Sequence, residues 1–143
     1  MKRIGSSFVV GLIVAGVVIS GCSQPAAAAP KEEAIKVEKH ESGPATITLS
    51  AKAAERLGVQ TGEVRGDGAQ KTIPYAAIIY DAKGATWTYA ATGGLVYVRA
   101  SIAVDRIEGD DAYLTDGPPS GTAVVTRGAA ELYGAETGVG GGH

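Results

Sequence analysis

The sequence predicts a mainly β protein, a small antiparallel β sandwich or half-barrel with one short helix near the start of its folded part. Short apolar or alternating runs recur at near-regular spacing from residue 45 onward, and Gly-, Asp- and Pro-containing segments separate them. Such runs with turn residues between them are typical of strands in small antiparallel domains. Only one early segment, SAKAAERLG, combines helix-forming residues with an N-cap and a terminal glycine.

The first 21 residues are organised like a lipoprotein signal peptide. Two basic residues precede an apolar run at residues 8–19, which is too short for a membrane span of about 20 residues. The run ends in ISGC, which resembles the bacterial lipobox, and cleavage is expected between Gly21 and Cys22. Cys22 is the only cysteine, so an internal disulfide is excluded. We therefore predict that Cys22 is acylated and that membrane lipid is a partner.

The charge of the mature chain excludes one class of partner. Removing residues 1–21 takes away two basic residues and no acids, which leaves 11 basic and 15 acidic residues and a net charge of −4. Nucleic-acid binding requires a basic face, so no nucleic-acid partner is expected. The predicted location is extracytoplasmic, lipid-anchored to the outer face of the plasma membrane or, in a diderm cell, within the periplasm or on the outer membrane.

Composition divides the rest of the chain into three segments. Residues 22–44 are rich in Ala and charged residues, and such segments bury too little apolar surface to offset the entropy of ordering. We predict a disordered tether there, with a transient helix possible over residues 31–39. Residues 45–137 form the β domain, and residues 138–143 form a disordered tail.

The first half of the domain contains a helix between two strands. Thr46 to Leu49 alternates as a strand does. Ser50 is a good N-cap, residues 51–57 favour helix, and Gly58 suits a left-handed stop. Residues 59–64 then read as a strand, with a weak point at Gly62, and a glycine-containing turn follows.

A hairpin and a long strand occupy the middle of the domain. Residues 73–80 are apolar, and Pro74 places the start of this strand at an edge or a bulge. Residues 81–84 form a hairpin turn before a return strand at residues 85–89. Residues 95–107 exceed the usual strand length, so a bend or break is expected near Ala100 and Ser101.

The last part of the chain contains two further strands joined by a rigid loop. Residues 112–115 form the first of these strands, and residues 116–121 form a loop that contains two prolines and four further turn-forming residues. Residues 122–126 form the last strand. A short helix or turn is expected over residues 129–133.

The sequence predicts no catalytic, cofactor or metal site, and no enzyme activity. The two histidines are His40, in the predicted tether, and His143, the last residue. With Cys22 acylated, no thiol remains for a Cys–His pair or for a transition-metal site. Asp110 and Asp111 together with Asp116 could suggest a site for a hard cation, but they lack the alternating oxygen ligands of a calcium loop and are interpreted as a solvated turn.

The long strand offers a candidate partner surface. Its alternation places Val96 and Val98 inward and Tyr97, Arg99 and Asp105 outward, with Arg106 nearby. Tyr and Arg are enriched in interface hot spots. The alternative is a solvated face with cross-strand Arg–carboxylate pairs.

Several motifs resemble the periplasmic adaptor subunits, or membrane fusion proteins, of RND-type efflux transporters. IPYAAI at residues 73–78 matches a strand with the family pattern vPxxAv, and Trp87-Thr88-Tyr89 lies where the family has a VfV-type strand. DGPPSGTAVVTRG at residues 116–128 matches the closing turn and strand, with Pro-Pro where Leu and a polar residue are usual. The resemblance covers nearly all of the predicted folded part and implies that this part corresponds to the membrane-proximal β domain of such adaptors.

One departure limits what the resemblance implies. Full adaptors insert a lipoyl-like domain, a helical hairpin and a β-barrel before the vPxxAv strand, whereas only residues 65–72 stand there in this chain. The resemblance thus implies a non-enzymatic accessory module that docks on an RND or ABC transporter permease. Two alternatives remain open: an envelope lipoprotein that binds a small molecule or cell-wall component, and a remnant without an active role.

Overall fold

The computed structural model describes residues 33–139 and confirms a mainly β fold of antiparallel sheets, consistent with a sandwich or half-barrel. A one-turn 3₁₀ helix spans Tyr75–Ala77. No helix within the described range has the length and apolarity needed to cross a membrane. The other elements are β1 (Ile35–Glu38), β2 (Thr46–Leu49), α1 (Ala51–Leu57), β3 (Gln60–Glu63), β4 (Arg65–Asp67), β5 (Gln70–Pro74), β6 (Ile79–Tyr80), β7 (Thr86–Gly93), β8 (Val96–Ser101), β9 (Ala103–Glu108), β10 (Asp111–Asp116), β11 (Ala123–Arg127) and α2 (Ala129–Thr137).

The strands form two sheets between which the chain passes four times. The larger sheet has the order β1-β2-β8-β7-β11-β3, with β6 also paired to β7, and the smaller has the order β4-β5-β10-β9. The chain changes sheet after β3, after β5, after β8 and after β10. Four consecutive crossings interleave the sheets along the chain, so neither sheet is built from one continuous segment.

Two of these crossings refine the predicted strands. The break expected near Ala100 and Ser101 is confirmed at Ile102, whose backbone N–H donates to Thr86 (3.1 Å) and whose carbonyl accepts from the Thr86 hydroxyl (2.7 Å). The predicted single strand over residues 73–80 is wrong. It ends at Pro74, turns through the 3₁₀ helix and resumes as β6 in the other sheet, because proline has no N–H with which to continue a ladder.

Two apolar cores lie on either side of β11. One contains Ile47, Leu49, Tyr89, Tyr97, Val125 and Leu132, and the other contains Val64, Ile73, Ile102, Leu114 and Val124. Val124 and Val125 are adjacent and both fully buried, yet they belong to different cores. Successive side chains of a strand point to opposite faces, so β11 is covered on both sides.

The predicted caps of α1 are confirmed. The Ser50 side chain accepts from the backbone N–H of Ala53 at 3.2 Å, and Gly58 ends the helix in the left-handed region at φ 60°. The helix or turn predicted at residues 129–133 is a helix that continues to Thr137. Most of the predicted tail, residues 138–143, lies outside the described residues.

The described part of the predicted tether is ordered, which corrects its boundary. Residues 35–38 form β1, which pairs with β2 instead of forming a helix, and Ile35 and Val37 pack against the first core. The composition of this segment is mostly polar, but these two apolar side chains alternate with Lys36 and Glu38 and therefore lie on one face of a strand. Residues 22–32 lie outside the described range.

We predict that a chain starting at Ala45 is less stable than one starting at Glu33. It lacks the two half-buried apolar side chains of β1, whose loss is expected to reduce the free energy of unfolding by about 2 kcal/mol. Guanidinium unfolding followed by circular dichroism measures the difference. Equal midpoints for the two chains would show that β1 adds nothing to the domain.

Candidate functional site

The predicted lipidation site lies outside the described residues. Gly21 and Cys22 precede residue 33, where the description begins. Acylation of Cys22 therefore remains a prediction from the signal-like sequence.

Tyr97 is not on the surface, which corrects the predicted partner surface. Its side chain is 4% exposed, in the first core, and burial raises the pKa of its phenol. β8 lies between β2 and β7, where Tyr97 stands opposite Ile47 and Ala91. Alternation assigned Tyr97 to the wrong face because both faces of β8 carry apolar residues. The face of Val96 and Val98 is only partly buried, whereas the face of Tyr97 is covered by the first core.

Arg99 shares the face of Tyr97 and is held by neighbouring side chains. Its Nη2 lies 3.2 Å from Oε1 of Glu136, and its guanidinium carbon lies 4.3 Å from the ring centre of Trp87 and 5.7 Å from that of Tyr133. A guanidinium at such distances from aromatic faces is attracted by their quadrupoles. Only 19% of the Arg99 side chain is exposed, so Arg99 mainly makes contacts within the protein.

Glu136 is the centre of this polar cluster. The side chain of Glu136 is 8% exposed, and its second carboxylate oxygen accepts a hydrogen bond from the Tyr89 hydroxyl. Burial, and then the hydrogen bond to Glu136, raise the pKa of Tyr89 well above its usual value, so the phenol stays protonated and donates. Both carboxylate oxygens are thus engaged, one by an ion pair and one by a hydrogen bond.

A second carboxylate fixes the other edge of Trp87. The indole Nε1–H donates to Oδ2 of Asp81 at 3.0 Å, while Oδ1 accepts from the backbone N–H groups of Lys83 and Ala85. The hydrogen bond from Trp87, and then those from the backbone, hold the pKa of Asp81 below its usual range. Asp81 therefore ties the predicted hairpin turn to the face that carries Arg99.

The cluster fastens α2 to the larger sheet. Glu136 lies on α2, Tyr89 on β7 and Arg99 on β8, so the ion pair and the hydrogen bond join three elements. Its groups already bind one another, which is the arrangement expected of a structural network. Sequence analysis missed Glu136 because it ended the helix at residue 133. The spacing of Ala129, Leu132 and Glu136 places all three on one helix face, which was the available signal.

Asp105 and Arg106 are exposed as predicted, but on the other sheet. They lie in β9, whereas Tyr97 and Arg99 lie in β8 of the larger sheet. Arg106 contacts Asp105 at 2.9 Å and Glu108 at 2.8 Å and stacks over Tyr113 at 3.9 Å. These hydrogen bonds, the one to Glu108 first, raise the pKa of Arg106. The four predicted residues are therefore not one surface, and Arg106 fits the alternative of Arg–carboxylate pairing.

Two exposed tyrosines lie at the ends of a short segment that the sequence analysis did not select. Tyr75 and Tyr80, on either side of residues 76–79, are 46% and 52% exposed. Tyr80 lines a groove of about 470 Å³ between this segment and the start of α2. Ala76, Ile78, Ile79, Ala129, Ala130 and Tyr133 contribute to its walls. We call Tyr75, Tyr80 and this groove the tyrosine face.

The described residues contain no group of three His, Cys, Asp or Glu side chains placed to hold a metal ion. Of the acidic residues near the predicted solvated turn, Asp111 pairs with Arg65, and Asp116 accepts from the backbone N–H of Gly117.

We predict that Glu136→Ala lowers the free energy of unfolding by about 3 kcal/mol, because it leaves the largely buried Arg99 guanidinium without its carboxylate. Tyr89→Phe removes one hydrogen bond and is expected to cost about 1 kcal/mol. Guanidinium unfolding measures both. Glu131→Ala, an exposed change on the same helix, is the matched control and should stay within about 0.5 kcal/mol. A Glu136→Ala midpoint equal to that of the control would refute the structural role of the cluster.

Comparison with known proteins gives no match: no family model, no curated protein and no solved structure is significantly similar to this chain.

Proposed function

We propose that this protein is a lipid-anchored, extracytoplasmic accessory module without enzymatic activity, which docks on a membrane transporter permease of the RND or ABC type. The proposal rests on the lipobox-like sequence, on the resemblance of residues 73–78 and 116–128 to transporter adaptors, and on the position of β1. The position of β1 is the observation that carries most weight, because β1, while it is paired with β2, limits how far the domain can lie from a lipid anchor at Cys22.

Ile35, the first residue of β1, is thirteen residues after Cys22. A chain spans at most about 3.4 Å per residue, so this segment reaches at most about 45 Å in any conformation. A domain that began at Ala45, as the composition suggested, would have a considerably longer leash. If Cys22 is acylated, the domain stays close to the bilayer, where the extracytoplasmic surface of a permease lies.

The tyrosine face is the best candidate for the docking surface. Tyr75 and Tyr80 are two of the four exposed large hydrophobic residues in the described part of the chain. Tyrosine is enriched among residues that dominate binding energy, since it combines a large apolar ring with a polar hydroxyl. Both residues flank a short, well-anchored segment: the Tyr75 N–H donates to Asp110 (2.8 Å) and β6 pairs with β7. The surface is therefore pre-organised.

We predict that changing Tyr75 and Tyr80 together to Ala weakens capture of a permease at least about tenfold while leaving the midpoint of unfolding nearly unchanged, because hot-spot side chains contribute about 2 kcal/mol or more each. The measurement is chemical cross-linking in the native membrane followed by mass spectrometry. Ile107→Ala, which removes an exposed apolar side chain from the smaller sheet, is the matched control and should capture the permease as the wild type does.

Two outcomes would contradict the proposal. Wild-type protein that cross-links to no permease, but retains a small molecule or cell-wall fragment, would favour the ligand-binding alternative. Cys22→Ser protein that fractionates with membranes as fully as the wild type would refute the lipid anchor.

A further inference from the structure

Strand β1 is a lightly held edge element of the larger sheet. It has four residues, lies at the edge of the sheet and pairs only with β2. Its inward side chains, Ile35 and Val37, are only partly buried against the first core. The outward ones, Lys36 and Glu38, form an ion pair at 2.8 Å with 59% and 50% of their side chains exposed. Exposed pairs of this kind contribute little to stability.

The loop that connects β1 to β2 makes few contacts with the rest of the domain. Residues 39–44 are exposed except for the half-buried Pro44, and the side-chain contact found across this loop is the hydrogen bond between His40 and Thr46 at 2.9 Å. By contrast, β8 lies between two neighbouring strands and carries the buried Tyr97. Local opening follows such differences in burial and pairing, so short edge elements open at a lower free energy than central strands.

The composition of the segment agrees with this difference. In the printed sequence KEEAIKVEKHESGP, only Ile35 and Val37 are large apolar residues, which is why composition alone predicts disorder there. The ordered state of β1 therefore depends on these two side chains and on one four-residue ladder. The remaining elements of the first core do not need β1 for their own pairing, because β2 is also paired to β8.

We propose that β1 is a releasable strap that sets the length of the membrane leash. When β1 is paired, the leash ends at Ile35. When it detaches, the leash extends to Thr46, twenty-four residues after Cys22, and its maximum reach rises from about 45 to about 80 Å. The leash rests on the proposed acylation of Cys22, whereas the detachment of β1 does not. The strap would let the domain follow a permease surface at either distance from the bilayer.

Hydrogen–deuterium exchange with mass spectrometry on the full, membrane-extracted chain tests the strap. Peptides that cover β1 are expected to exchange at least about 100-fold faster than those that cover β8, because β1 opens locally while β8 opens only with the whole domain. Val37→Ala, which removes one of the two apolar side chains that pack β1 against the first core, should speed exchange of β1 further without changing that of β8. Lys36→Ala removes only the exposed ion pair and is the matched control, with exchange of β1 within about twofold of the wild type.

A reversible lock completes the experiment. Lys36 and Thr48 face each other across the two strands, at the spacing that permits a cross-strand disulfide after Lys36→Cys and Thr48→Cys. Oxidation should slow exchange of β1 to that of β8, and reduction should restore the fast rate. Equal exchange rates for β1 and β8 in the wild type, or a β1 rate unaffected by the lock, would overturn the proposal. The intact mass of the same sample reports whether Cys22 is acylated, so failure of the anchor is seen separately from failure of the strap.

Discussion

The fold depends on one strand, β11, whose two faces are both buried. Val124 enters the core shared with the smaller sheet, while Val125 enters the core beneath the helices, and both are fully buried. Neither core can be completed without this strand. Its neighbour β3 needs a glycine at position 62, because a Cβ there would lie 2.7 Å from Cγ of Pro74 and clash with it. The closing segment of the chain therefore has a structural role, and it carries the apolar pair that joins the two sheets.

Sequence reasoning succeeded where the signal was local. Ser50 and Gly58 bounded α1 because capping depends on a few adjacent residues. It failed where burial was decided by distant elements. Tyr97 was assigned outward because alternation defines two faces without saying which of them a helix covers. Glu136 and β1 were missed for a related reason: a buried carboxylate and a mostly charged strand are both stabilised by partners from other parts of the chain. Two of the four proposed surface residues, Tyr97 and Arg99, are therefore buried or mostly buried.

The charged cluster and the exposed surface have different roles. Glu136 binds both Tyr89 and Arg99 and holds α2 on the sheet, so this buried polar cluster is structural. The tyrosine face is exposed and anchored by its backbone, as a docking surface must be. A permease-docking module needs such a rigid face together with an attachment that limits its distance from the bilayer. In the proposed role, pairing of β1 with β2 would keep the attachment to Cys22 short, and release of β1 would lengthen it.

The most direct test of the central claim, that β11 couples both cores into one cooperative body, is the unfolding of Val124→Ala. This change removes side-chain atoms from the second core, whereas Trp87, the only tryptophan, packs against the first. Guanidinium unfolding followed by Trp87 fluorescence and by circular dichroism should give coincident transitions, both shifted by about 2 kcal/mol. A Trp87 transition that stays at the wild-type midpoint, while circular dichroism shows a separate earlier step, would contradict the coupling.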